Sequence, residues 1–185
     1  MKETTAIYGR RCWIDGQLQP ATIYFEAGTI TQIVLGSKIN SAPNIIDFGD
    51  KVIMPGAMDV HVHINEPGRT EWEGFNTATK AAAAGGVTTI VDMPLNSSPV
   101  TVNVANFKKK LKAAATKKLY VNCGFYGGLV PDNLDDLEEL IKSGVLGIKA
   151  FLTHSGIDDF PNEGKKELDD AMPIIAKYGI PMRAH

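Results

Sequence analysis

Two histidines, His61 and His63, stand two residues apart in the segment Met54-Pro55-Gly56-Ala57-Met58-Asp59-Val60-His61-Val62-His63. On an extended strand, successive side chains alternate between faces. The spacing therefore predicts Asp59, His61 and His63 on one face, with Val60 and Val62 on the other. Two imidazoles on one face can hold a metal ion from the same side; a hydrogen-bonded pair in a core fits the spacing equally well. Three further segments weigh on the side of metal. Gly147-Ile148-Lys149 closes an apolar run on a lysine, where burial of an ammonium is costly. Reaction of that amine with CO2 gives a carbamate, an anionic oxygen ligand able to bridge two cations. An exposed or salt-bridged lysine is the plain alternative. Arg183-Ala184-His185 closes another run on a third histidine, and Glu66-Pro67-Gly68-Arg69 sets a turn directly after the first run. Candidate ligands thus come from the ends of three separate runs, as a site at one face of a β/α barrel requires.

Those runs are strand candidates. They recur at 57–63, 87–92, 119–123, 145–151 and 180–185, and helical stretches fill the gaps. Thr70 with Glu73 forms a capping box for the first helix, which Gly85-Gly86 stops. A second helix is expected over 103–115. The third, over 134–142, puts Leu134, Leu137, Leu140 and Ile141 on one face, with Asp135 and Asp136 in its first turn and Gly144 beyond its end. The fourth spans 166–177, before Gly179. Strands alternating with helices are the rhythm of βαβ units and a parallel sheet. Residues 1–54 read differently, as short strands at 7–8, 11–14, 22–25 and 29–35, with turn residues at Asp15-Gly16 and Ala27-Gly28. A complete (β/α)8 barrel needs about 250 residues, so five strands leave two readings, an incomplete barrel or a five-stranded open sheet. The chain closes on a strand with no helix to cover it, and the expectation is a truncated barrel.

Composition excludes several classes. The 185 residues carry a net charge of −2, with 44% hydrophobic and 22% charged residues, an ordinary soluble balance. It offers no electrostatic reason for a nucleic-acid or membrane-surface partner. No stretch approaches the roughly 20 apolar residues that span a bilayer, and the opening 1–5 does not read as a secretory leader. A cytoplasmic location is expected. Cys12 and Cys123 lie too far apart for a CxxC pair and are expected as buried small hydrophobes. Asp92, at a strand end, either orients a ligand histidine or caps the next turn. Lys108-Lys109-Lys110 reads as a solvated helix face, His154 as a loop histidine in solvent, and Trp13 and Trp72 as packing residues.

The motifs resemble the amidohydrolase superfamily, in its cyclic-amidase branch of dihydroorotases, hydantoinases and allantoinases. Asp59-Val60-His61-Val62-His63 followed by Glu66-Pro67-Gly68 carries the likeness, as does Ala81-Ala82-Ala83-Ala84-Gly85-Gly86-Val87-Thr88-Thr89 leading to Asp92-Met93-Pro94. The resemblance covers essentially the whole chain. It implies an incomplete TIM-type barrel over 55–185, preceded by residues 1–54 as part of a composite β-sandwich. It implies that His61 and His63 hold the more buried of two divalent metal ions, zinc foremost, with manganese, cobalt or iron as alternatives. Carboxylated Lys149 would bridge the two ions, and His185 would ligate the second. The family's further histidine and its catalytic Asp base have no counterpart here, so residues 1–185 alone are expected to be inactive.

Within the branch, dihydroorotases usually read His-x-His-x-Arg, and the arginine clamps the substrate carboxylate, a bidentate pairing that an amide cannot replace. Here that position is Asn65. Met93-Pro94-Leu95-Asn96, the loop from Glu66 to Gly74, and Gly127-Gly128-Leu129-Val130-Pro131 resemble the allantoinase form. The resemblance then implies a neutral cyclic ureide as substrate, with Asn65 and Asn96 binding it, opened from allantoin to allantoate by a homo-oligomer when full length. A dihydroorotase-like or other cyclic amidase, and a non-catalytic assembly subunit, are the alternatives.

Overall fold

Paired positive-φ residues set the first sheet. Asp15 and Gly16 (φ 51° and 79°) join β1 (Thr5–Ile14) to β2 (Gln17–Glu26), and Ala27 and Gly28 (φ 50° and 81°) join β2 to β3 (Thr29–Leu35). Two successive residues in that region match the twist of an antiparallel hairpin. The computed structural model describes residues 5–36 and 44–185. Most of the opening segment considered for a leader, 1–4, lies outside them. The chain divides into two compact units, Met1–Pro55 and Gly56–His185.

In the first unit, two strands not expected from the sequence, β4 (Asn44–Asp47) and β5 (Val52–Ile53), pair parallel to β1. Among the described residues the unit is one five-stranded sheet, in the order β3-β2-β1-β4 with β5 also on β1. Cys12, Ala21 and Ile23 form its small core, packed by Ile7, Ile14 and Ile53. Trp13, expected as a packing residue, packs only in part. It stands half-exposed on the rim of an apolar cavity of about 300 Å³, because this face of the sheet is not covered by a second layer among the described residues.

The second unit is built of successive β/α pairs. Parallel strands β6 (Ala57–Val62), β7 (Val87–Asp92) and β8 (Asn122–Phe125) lie side by side. So do β9 (Gly127–Gly128), β10 (Ile148–Ala150) and β11 (Met182–Ala184). Only Tyr126 separates β8 from β9, and its amide donates to the Asp92 carbonyl at 2.9 Å. The two pieces therefore act as one interrupted strand, and five strands run in chain order. Between them come α1 (Phe75–Ala84), α2 (Val104–Ala115), α3 (Leu134–Lys142) and α4 (Lys165–Lys177). No helix among the described residues is long and apolar enough to cross a membrane.

Two apolar layers sandwich the strands. Phe75, Ile90, Phe107, Phe125, Leu137, Leu140, Ile148 and Ile175 fill the layer between strands and helices. Val91, Met93, Tyr126, Phe151 and Phe160 fill the other. The alternation of Ile90 with Val91 is the period of two expected of a strand buried on both faces.

Three sequence expectations change here. Helix α1 starts at Phe75, not at the Thr70–Glu73 box, because those residues belong to the turn after β6. The Phe75 amide is instead capped by the Glu66 carboxylate, at 3.1 Å. Strand β8 begins three residues later than the apolar run, since Leu119 and Tyr120 are exposed. Lys110 does not join a solvated face. It is 1% exposed and sits with Phe107 and Ala114 on the buried stripe of α2, at the i, i+3, i+7 spacing of a helix face.

Glu138 ties α3 to α4 by accepting from Lys177 Nζ at 2.7 Å and Tyr178 Oη at 2.5 Å. These bonds hold its carboxyl down at about 2, against an ordinary 4.5. A depressed acid stabilises the fold above its unfolded value, and that contribution disappears as pH falls through the folded value. Glu138→Gln should therefore lower Tm at pH 7, and the gap to wild type should narrow between pH 4.5 and pH 3. A gap that stays constant across that window in a thermal melt would count against the assignment.

Candidate active site

Strand β6 does not keep the strict alternation its sequence predicts. Its pairing with β7 runs Asp59↔Ile90 and then Val62↔Asp92, so three steps on β6 face two on β7, which is a β-bulge. In consequence Val60 packs with the Val91–Met93 layer, whereas Val62 packs with the Ile90–Phe75 layer. The two valines do not share a face. The imidazoles still meet, with ring centroids 5.5 Å apart and planes inclined by 48°. Asp59 turns back on the strand and accepts the His61 amide at 3.0 Å.

His63 is half-buried. Burial lowers its pKa, and the positive neighbours His61, Lys149 and Lys110 lower it further, so the ring is neutral at pH 7 and keeps a lone pair for a ligand. Asn96, in the left-handed region at φ 75°, brings its Nδ2 to 3.3 Å from His63 Nδ1. Holding a cation through Nε2 requires a proton on Nδ1. For that, the Asn96 amide must turn its oxygen to the ring.

Lys149 lies in the middle of β10 and is 3% exposed. Among the described residues no hydrogen bond or ion pair satisfies its ammonium; Nζ stands 4.5 Å from the centre of the Phe151 ring. Burial lowers its pKa, with Arg183 opposite it in the sheet as the second cause. His185 stacks on the other neighbour, with its ring 5.0 Å from Phe151 and inclined by 23°. The structure thus gathers Lys149 on β10, Phe151 just past that strand and His185 just past β11, and sets His61 and His63 near the end of β6. Lys149 is near enough for its charge to act on His63. Among the described residues, no three His, Cys, Asp or Glu side chains converge as a ready metal cluster.

Asn65 follows the pair at once. It is 8% exposed, and its Oδ1 has no hydrogen-bond partner among the described residues. Its backbone holds the loop closed, with the amide donating to Glu73 and the carbonyl accepting from Arg69. Among the described residues, Asp92 makes no hydrogen bond to a histidine. Its Oδ1 accepts the Ile64 amide at 2.6 Å, and its Oδ2 pairs with Lys110 at 2.7 Å. Burial pushes its carboxyl up to about 6 in spite of that pairing. His154 is solvated, with Nδ1 accepting the Gly156 amide. Trp72 is mostly exposed under the Arg69 guanidinium rather than packed in the core.

A model of the amidohydrolase family matches residues 52–185. The chain belongs to that family. A probable allantoinase of Oryza sativa subsp. japonica is 49% identical over 176 residues, covering 92% of this chain and 34% of the relative. The allantoinase of Saccharomyces cerevisiae is 46% identical over 182 residues, covering 93% and 39%. A relative from Aquarana catesbeiana, 48% identical, is named as a mitochondrial allantoinase. Among solved structures, the L-hydantoinase of Arthrobacter aurescens superposes with a TM-score of 0.86 at 30% identity, over 100% of this chain and 41% of that one. The chain therefore spans between about a third and two fifths of the length of these relatives. With such neighbours, the five β/α strands of this amidohydrolase are part of a TIM-type barrel.

Close packing behind the site requires glycine at 147. A Cβ there would meet the Pro181 carbonyl oxygen at 2.8 Å and the Tyr126 ring closer still, the ring whose hydroxyl accepts from Arg183 Nε at 2.6 Å. Overpacking of this kind costs about 1–3 kcal/mol. Gly147→Ala should show that loss in urea unfolding; a variant as stable as wild type would mean the ring and carbonyl move aside freely.

Proposed function

We propose that the protein hydrolyses the C–N bond of a cyclic amide, with allantoin as substrate and allantoate as product. Kinship with proteins named allantoinases, over more than nine tenths of this chain, supports the class. His61 and His63 would hold one divalent cation, zinc foremost. His185 would hold the second, and Lys149, carboxylated, would bridge them. The donor set suits such a centre. A buried ammonium without a counter-charge becomes, as a carbamate, the anion that two cations require. When bound, the metals supply Lewis-acid activation of water and of the ring carbonyl. We assign residues 55–185 to the first five strands of a (β/α)8 barrel and residues 1–54 to a composite β-sandwich. The protein is read as a cytoplasmic homo-oligomer acting on a small molecule, with no nucleic-acid or membrane partner.

Asn65 carries the substrate reading. It is uncharged, buried, and two residues from His63, and its free Oδ1 can accept an N–H from a neutral ureide. Asn96, beside His63, can hold the same ring. A carboxylate would find no cation at Asn65, and leaving such a charge unpaired in a closed pocket costs several kcal/mol. In the protein extended to the length of its relatives, kcat/KM for allantoin should exceed that for dihydroorotate by about 100-fold or more, equivalent to about 2.7 kcal/mol. Asn65→Arg should reduce allantoin turnover by about tenfold or more, since it replaces an acceptor with a bulky cation. Dihydroorotate opened as well as allantoin would overturn the substrate and leave only the cyclic-amidase class.

A further inference from the structure

Ile64 is wholly buried and lies two residues beyond the last paired position of β6, so its amide and carbonyl have no partner in the sheet. A buried backbone group left unpaired is expensive. Both are satisfied by one ion pair. The Ile64 amide donates to Asp92 Oδ1 at 2.6 Å, and the Ile64 carbonyl accepts from Lys110 Nζ at 3.0 Å. Asp92 Oδ2 and Lys110 Nζ join at 2.7 Å, both side chains essentially inaccessible to solvent. On the other side of His63, the Val62 carbonyl accepts the Met93 amide at 2.8 Å. His63 therefore has a ladder bond fixing the residue before it and a charged pair fixing both polar groups of the residue after it. The peptides flanking His63 are held by the Met93 amide at Val62 and by Asp92 at Ile64, and Lys110 holds the next one, so the backbone from which the imidazole projects is fixed.

Two neutral side chains would serve the same backbone groups without burying two charges, which is costly even when they are paired. What the charges add is stiffness. Each bond to Ile64 is charge-assisted, hence shorter and stronger than a neutral one. The anchors come from the end of β7 and from the buried stripe of α2, so they draw two elements onto one residue, Asp92 holding the peptide before Ile64 and Lys110 the peptide after it. We propose that Asp92 and Lys110 are positioning residues, a clamp on the Ile64 backbone that sets the orientation of His63 toward its cation. This inference rests on the metal-site reading above.

The test compares wild type with Lys110→Arg, Lys110→Met and the double variant Asp92→Asn/Lys110→Met. The double variant leaves no uncompensated charge, so it loses less stability than the single Lys110→Met, although both leave the Ile64 carbonyl without its donor. Two readouts are needed, Co²⁺ affinity from the visible absorption of the bound ion and amide hydrogen exchange at Ile64 and Asn65. The double variant, unfolding cooperatively, should bind Co²⁺ about 10-fold to 100-fold more weakly, the usual effect of losing a group that orients a ligand. Its Ile64 amide should exchange at least about tenfold faster, and Lys110→Arg should recover most of both. Unchanged affinity and exchange in the folded double variant would overturn the clamp. If wild type takes up no Co²⁺, or binds it equally after His63→Ala, the metal-site reading fails instead. Exchange at Ile64 then decides the clamp alone, and protection equal to wild type refutes it.

Discussion

The central strands of the second unit, β7 toward its end and β10, are buried on both faces, and that constraint governs the site. Ile90 and Val91 show it directly, since neighbouring residues of β7 enter two different apolar layers. Chemistry is thereby driven to the strand ends, where the ladder stops and the backbone is free to turn. His63, Asp92 and His185 lie at, or just past, the last residue of their strands, and Lys149 is one residue short of the end of β10. The same constraint explains the glycines at 127, 128 and 147. Each stands where the layer behind leaves no room for a side chain.

Inside such a body, every charge must be accounted for. Asp92 and Lys110 answer each other and share the backbone of Ile64 between them. Glu66 is likewise occupied, by Lys117 at 3.0 Å and by the first amide of α1. Lys149 is different, because its nearest named companion is an aromatic ring. The face of a ring attracts an ammonium, but by far less than a carboxylate would in so dry a place. Among the described residues no counter-charge pairs with it. Glu163, buried with neither carboxylate oxygen bonded among the described residues, poses the same question in the loop before α4, and burial pushes its carboxyl up.

Much of this was legible in the sequence. The limits of β3, β7 and α3 coincide with the apolar periodicity, and those of α2 and α4 differ by one residue. Local signals sufficed there, the apolar periodicity with Gly144 and Gly179 at positive φ beyond the ends, and the structure adds Asn103 as the cap of α2. What escaped was non-local. β4 and β5 are four and two residues long and exist through pairing with a strand tens of residues away. The bulge in β6 depends on its register against β7, which no pattern within 57–63 encodes. Lys110 escaped for a different reason. Three adjacent lysines look solvated as a run, but taken by helical spacing the third falls between Phe107 and Ala114. Reading the period before the composition would have found it.

The bulge also bears on how one site can serve different substrates. A hydantoinase superposes with a TM-score of 0.86 at 30% identity, whereas the probable allantoinase of Oryza sativa subsp. japonica and the allantoinase of Saccharomyces cerevisiae are 49% and 46% identical. Fold similarity is held by the two apolar layers, which tolerate many residues of suitable size. Substrate choice must be held elsewhere. Residues 61 to 63 are fixed by the ladder and by the pair on Ile64, so they have little freedom to follow a change of substrate. The loop from Asn65 to Gly74 has more. It is tied by backbone bonds at Asn65 and Arg69, and by Arg69 to the Asn96 carbonyl at 3.1 Å, but its side chains are not part of either core layer. A rigid pair of histidines followed immediately by a loop outside the core separates the two demands. The histidine pair is anchored in the sheet, and a loop outside both core layers begins one residue after Ile64.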